Sequence, residues 1–399
     1  MLRTSQRRPA GASPPCRATS DPAPGPVASK RFIIALLPLL LLTLVACVGN
    51  NTPQGWSGGA VSGEVLYIGT TDGEVVALDL ESGDEVWTFI LRGEEAERAV
   101  YGTPTLAGDT LYVGGYDGIL YALSLDGDMK GDERVGRPEE KEEEPIVGSP
   151  VVVNGLVLVG SSDGNVYAFD AEEDSGAVEF FERWRFPTEG KVWSTPAVAD
   201  GVAYFGSMDH SVYAVNIENG AKVWEFETSG AVAATPTVAG GRVYVGSFDG
   251  VFYALDAATG LESWRFTGSD SWYWAGAITD DGTIYVPSLD GNLYALEMAT
   301  GNLLWTLETE GPIVGSPVIV SDMIVVGSDD GNVRLVRLRD GSRLDSCNVG
   351  DGIRTPFAVQ DGFVYFGVRD DSIRSIRIKE NGNPDEQWVY PRRDRPSAC

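Results

Sequence analysis

Between residues 58 and 390, apolar positions recur with a period of two, in short runs broken by Gly, Asp, Asn and Thr. That period belongs to half-buried strands and not to helices. The pattern is plainest at residues 234–266, ATPTVAGGRVYVGSFDGVFYALDAATGLESWRF, which predicts four strands: A at 235–239, B at 242–247, C at 251–256 and D at 261–266. The joints are Gly240-Gly241, Asp249-Gly250 and Ala258-Thr259-Gly260. Glycine accepts a positive φ there, and aspartate bonds its own downstream backbone.

The same unit fills the chain. Its B–C turn aspartate recurs at Asp72, Asp117, Asp163, Asp209, Asp249, Asp290, Asp330 and Asp370, at intervals of 45, 46, 46, 40, 41, 40 and 40 residues. Periods of about 40–50 residues belong to propeller blades. One four-stranded sheet leaves both faces bare, so the units stack, and closing the stack radially hides its ends. The expected fold is all-β: an eight-bladed β-propeller of four-stranded antiparallel blades. The blades are predicted at 56–90, 100–136, 146–187, 192–228, 232–267, 273–308, 313–349 and 353–391, after a tether at 47–55 and before a tail at 392–399. Each blade is contiguous in sequence, so closure rests on packing between blades 1 and 8.

Strand D carries a tryptophan in six blades: Trp87, Trp184, Trp224, Trp264, Trp305 and Trp388. An indole on an outer strand wedges between sheets and buries roughly 150–250 Å². Blade 2 lacks the ring and blade 7 has Asp345 in its place, so these two interfaces are expected to be looser. The segments YALDAATGLESW (253–264), YAVNIENGAKVW (213–224), YALEMATGNLLW (294–305) and VALDLESGDEVW (76–87) resemble the tryptophan-docking repeat of pyrroloquinoline-quinone-like (PQQ-like) propellers.

Ahead of the repeats, residues 32–46 (FIIALLPLLLLTLVA) form an apolar run preceded by Lys30-Arg31 and followed by Cys47. The run falls short of the roughly 20 residues a permanent span needs, and reads as an export signal within a leader at 1–46. Leu44-Val45-Ala46-Cys47 is similar to a bacterial lipobox, which makes Cys47 the expected lipidation site. Residues 1–26 exceed what a leader requires, so Val27 is an expected alternative start. A lipid-anchored eight-bladed propeller of this repeat type resembles the BamB family of outer-membrane assembly lipoproteins. The resemblance implies a non-enzymatic scaffold at the cell envelope with protein partners, exported and membrane-anchored, and monomeric within a larger complex.

Charge narrows the partners. With 30 Lys and Arg against 58 Asp and Glu, the formal net charge is -28, which opposes binding to a nucleic-acid backbone. An anionic lipid surface would repel it too, leaving acyl chains on Cys47 to hold the membrane. His210, the one histidine, rules out His-based triads and multi-His metal sites. The periodic turn aspartates read as structural, and no metal is expected. Quinoprotein dehydrogenases share the repeat, and that resemblance implies an adjacent Cys pair, calcium ligands and an Asp base. The cysteines stand at 16, 47, 347 and 399, so no catalytic residue and no cofactor, PQQ included, is expected. Cys347 and Cys399 are a candidate disulfide for an oxidising compartment.

In a four-stranded meander, the B–C turns and the crossovers from strand D to the next strand A emerge on one face. The crossovers vary most: 91–100 is charged, 128–145 holds the acidic run 139–144, read as a solvated loop, and 268–276 is GSDSWYWAG. Trp193, Trp272, Tyr273, Trp274 and Arg354 are the candidate residues of this partner or ligand face, and Tyr101 joins them there. The alternative function is a sugar- or quinone-binding propeller related to PQQ-dependent dehydrogenases, using Trp193, the 272–274 aromatics and Arg354 at the channel mouth.

Overall fold

The computed structural model describes residues 57–93, 98–136, 144–379 and 382–391. These form 32 strands in eight four-stranded antiparallel sheets, each strand pairing with its neighbours in sequence. The sheets span 59–90, 105–134, 151–187, 197–227, 237–266, 278–308, 318–348 and 358–390, so the eight predicted blades are present and contiguous. Strand A is shorter than the sequence suggests: in blade 5 it is Thr237–Ala239, because the preceding Thr235-Pro236 lacks the amide needed to extend the ladder.

Every blade has a register shift in the C–D pairing one residue before the tryptophan slot, as where Ala254 faces Trp264 but Leu255 faces Glu262. Such a bulge re-aims the residues around it. In the blades that carry the tryptophan the residue it skips turns outward, which leaves Val86, Val223 and Leu304 exposed, while the indole turns toward the next blade. The Nε1–H groups of Trp87, Trp184, Trp224, Trp264, Trp305 and Trp388 then donate to the carbonyls of Leu125, Ile217, Ala257, Met298, Leu338 and Leu80, at 2.8–3.2 Å. Each ring also lies on a C–D turn glycine of that next blade. At Gly260 (φ 72°) a Cβ would stand 2.7 Å from the Trp224 ring, so no larger residue fits.

The two interfaces without tryptophan are filled, contrary to the expected looseness. In blade 2 the slot is Gly131, and a Cβ there would meet the Val178 carbonyl at 2.0 Å. The long hairpin of blade 3 (Asn165–Asp174 and Ala177–Pro187) crosses this gap backbone to backbone. Val178 seals it, and Lys130 Nζ pairs with Asp109 at 3.1 Å and Glu173 at 2.9 Å. At blades 7 and 8 the seal is a cluster of fourteen buried residues including Met323, Cys347, Phe357 and Phe366. Cys347 is fully buried and disulfide-bonded. Its expected partner Cys399 lies outside the described residues, as do Cys47, the leader and most of the acidic run.

The ring closes without a shared blade. Leu66, Ile68, Val76 and Leu78 of blade 1 pack against Ala358, Tyr365, Ile373 and Trp388 of blade 8. Gln360 Nε2 donates to the Gly63 carbonyl at 3.0 Å across the same seam.

Candidate functional site

Register places the site. Five residues before each strand A stands a buried anchor: Val100, Ile146, Val192, Val232, Tyr273, Ile313 and Ile353 in blades 2 to 8. The next residue faces the axis, so Tyr101, Val147, Trp193, Ala233, Trp274, Val314 and Arg354 line the mouth of the central channel, a cavity of about 440 Å³. Large side chains come from even-numbered blades and small ones from odd-numbered blades, which lets the Trp193 and Trp274 rings meet across Ala233 of blade 5.

The aromatic lining falls into two groups, Trp193–Trp274–Phe248–Trp272 and Tyr101–Tyr116. Trp193 and Trp274 lie 6.2 Å apart and tilted by 51°. Trp193 Nε1 donates to Ser162 Oγ at 3.0 Å, and Lys191 Nζ sits 5.9 Å from the Trp193 ring centre. Phe248 stacks between Trp272 at 4.8 Å and Trp274 at 5.6 Å. Tyr101 and Tyr116 pair at 5.2 Å, and burial, with Tyr116 beside it, pushes the Tyr101 hydroxyl above the usual phenol range, so it stays protonated. Opposite these rings, Arg354 donates from Nε and Nη2 to the two Asp329 carboxylate oxygens at 2.7 and 2.6 Å. That carboxylate holds the guanidinium pKa above its ordinary value.

The structure divides the 272–274 triplet. Trp272 is 52% exposed on the rim and Trp274 lines the mouth, but Tyr273 is wholly buried. It packs with Phe252 and Trp264 in the core of blades 5 and 6, so it is corrected from face residue to core anchor. Its place in the register is that of the aliphatic anchors. Tyr116, Phe248 and Asp329 went unnoticed in the sequence. Each directly precedes a turn aspartate, a position where the blades share no residue type, so spacing alone does not single them out.

The turn aspartates are occupied. In blades 2 to 6, Asp117, Asp163, Asp209, Asp249 and Asp290 accept the backbone N–H two residues on and the hydroxyl of Tyr121, Tyr167, Tyr213, Tyr253 and Tyr294, at 2.5–3.1 Å. His210 takes the left-handed turn position at φ 75°, where most blades use glycine. Among the described residues no group of three or more His, Cys, Asp and Glu side chains is arranged to hold a metal ion. Arg354, the arginine of the channel lining, is paired with Asp329.

With this geometry in place, the family model described as outer membrane protein assembly factor BamB matches residues 50–182, 181–272 and 269–346. The chain belongs to the BamB family. Among solved structures, BamB from Moraxella catarrhalis superposes with a TM-score of 0.65 at 21% identity, covering 81% of this chain and 94% of that one. A computationally designed protein, Ika8, superposes with a TM-score of 0.66 at 18% identity, covering 81% and 99%. A designed protein matching as well as a natural BamB means that these superpositions report the fold alone. No curated protein sequence matches the chain.

Proposed function

We propose that this BamB-family chain is a non-enzymatic, lipid-anchored scaffold at the cell envelope, which presents its B–C and crossover face to a protein partner and assists outer-membrane protein assembly. Family membership over residues 50–346 carries the reading. Two features support it. The B–C turns and the crossovers leave the sheets at the same strand ends, and Trp272, half exposed and stacked on Phe248, is a large rigid anchor of the kind that dominates interfaces. The formal charge of -28 favours a partner with a basic surface and disfavours nucleic acid.

The test is complementation in a host deleted for the gene, reading the level of folded outer-membrane barrels alongside crosslinking to identified assembly proteins. The wild type is expected to restore barrel levels. Cys47→Ala is expected to lose labelled-lipid incorporation, and Trp272→Ala to stay folded but to weaken partner crosslinking by about tenfold, the usual order for an interface anchor. Full rescue by both variants would refute the reading.

A further inference from the structure

We propose that the mouth of the central channel is a saccharide site, taking a neutral glycan of gluco configuration. The inference does not rest on partner docking: its evidence is the cavity lining, and it shares only Trp272 on the rim with that reading.

Two unlike surfaces meet in this cavity. One is the aromatic wall of Tyr101, Tyr116, Trp193 and Trp274. The other is polar and built into the closure of the ring. Thr103 Oγ1, Ser149 Oγ and Thr195 Oγ1 accept the amides of Gly58, Thr103 and Ser149 at 3.1, 2.8 and 2.8 Å, each latching one blade to the next. A hydroxyl used as an acceptor keeps its O–H, so the inner ring retains donors along the channel lining. Across from the indoles, the Arg354–Asp329 pair adds a planar group with both donor and acceptor capacity.

A gluco-configured pyranose is the chemical complement of that arrangement. Its hydroxyls lie around the edge, where they meet hydroxyls and the ion pair. Its faces are rows of axial C–H bonds, which pack flat on indole. The volume of about 440 Å³ lies within the range of small-ligand sites, about 300–1,000 Å³. Beyond the cavity the aromatic surface continues through Phe248 to Trp272 on the rim, so a chain of sugars has a second platform once the first unit is seated.

Charge selects a neutral glycan. Arg354 is neutralised by Asp329, Lys191 lies against the Trp193 ring, and the chain as a whole is strongly acidic. A phosphorylated or carboxylated sugar would enter against that field.

The test is titration of the mature chain with chitotetraose, cellotetraose and, as the charged probe, tetragalacturonic acid, read by intrinsic tryptophan fluorescence and by calorimetry. Saturable binding of a neutral tetrasaccharide in the micromolar to low-millimolar range, with a fluorescence change, is the expected result. Trp274→Ala is expected to weaken it about tenfold or more, and Trp193→Phe, which keeps a ring and its packing, by about threefold. Thermal melting of each variant separates loss of fold from loss of site, and Trp193→Phe carries the test should Trp274→Ala unfold. No saturable binding of either neutral glycan, tighter binding of the anionic one, or unchanged affinity in a folded variant would overturn the proposal.

Discussion

Replacing Trp388 by alanine is expected to destabilise the propeller by about 3–5 kcal/mol, the range for deleting a buried aromatic ring. The variant loses the donation from Nε1 to the Leu80 carbonyl, the contact with Gly83 and the packing of the ring among Leu66, Ile68 and Tyr365. The seam between blades 8 and 1 should feel this more than any other. Elsewhere two adjacent blades are joined by a crossover, so a weakened interface stays in register. Here no crossover joins the two sheets, and losing the wedge lets the ring open and wet a cluster buried on both sides. Urea denaturation of Trp388→Ala beside Trp224→Ala provides the measurement. The expected result is a lower midpoint for Trp388→Ala, with early proteolytic cleavage in blades 1 and 8. Equal midpoints would mean that closure adds nothing to ordinary blade docking.

Arg334→Ala is expected to cost about as much, for a different reason. Four residues after the turn aspartate, blades 2 to 6 place a tyrosine that donates to the carboxylate, whereas blade 7 places Arg334. It grips Asp330 with two bonds, at 3.0 and 2.6 Å, and both side chains are almost fully buried. Burial alone would raise the Asp330 pKa. The Arg334 bonds, with those from Asn332 and Glu310, outweigh it and hold the carboxyl down at about 2. Removing the arginine leaves a carboxylate in the interior without its counter-ion, a change that costs roughly 3–5 kcal/mol at neutral pH. Arg334→Tyr restores the arrangement of blades 2 to 6 and is expected to stay within about 1.5 kcal/mol of wild type, because a buried ion pair gains little over a well-packed neutral group.

The pH dependence has a definite sign. The folded pKa of Asp330 lies below the value of about 3.9 for an unfolded aspartate, so its contribution is complete above that value and disappears as pH falls from about 4 through about 2. Denaturation midpoints at neutral and at acid pH should therefore converge for wild type and Arg334→Ala as the medium is acidified. A constant gap between them would place the cost of the substitution in lost packing instead of charge.

Much of this architecture is legible in the sequence, since each blade repeats the same local instructions. Alternation sets the strands, glycine and aspartate set the turns, and all six tryptophans of the slot make the predicted contact. What stays hidden depends on neighbours. Tyr273 looks like part of an exposed aromatic triplet, and only alignment with Val232 and Ile313 reveals an anchor position enlarged to tyrosine. Phe248 and Tyr116 sit where other blades carry Thr71, Ser162, Met208 or Leu289, a position without a residue signature. Their role appears only when the turn folds against the crossover, as in the bond from the Phe248 amide to the Ala231 carbonyl. The seal at Gly131 was equally unreadable, because the segment that fills it is the hairpin of the following blade.

Since each sheet is finished before the next begins, the molecule has no privileged first or last sheet. The open seam between blades 8 and 1 is one of eight blade-to-blade joints, and a crossover spans each of the other seven. Linking the present ends and reopening the chain at another crossover would yield the same toroid, and duplication or loss of a whole repeat would change its circumference without rewriting any strand.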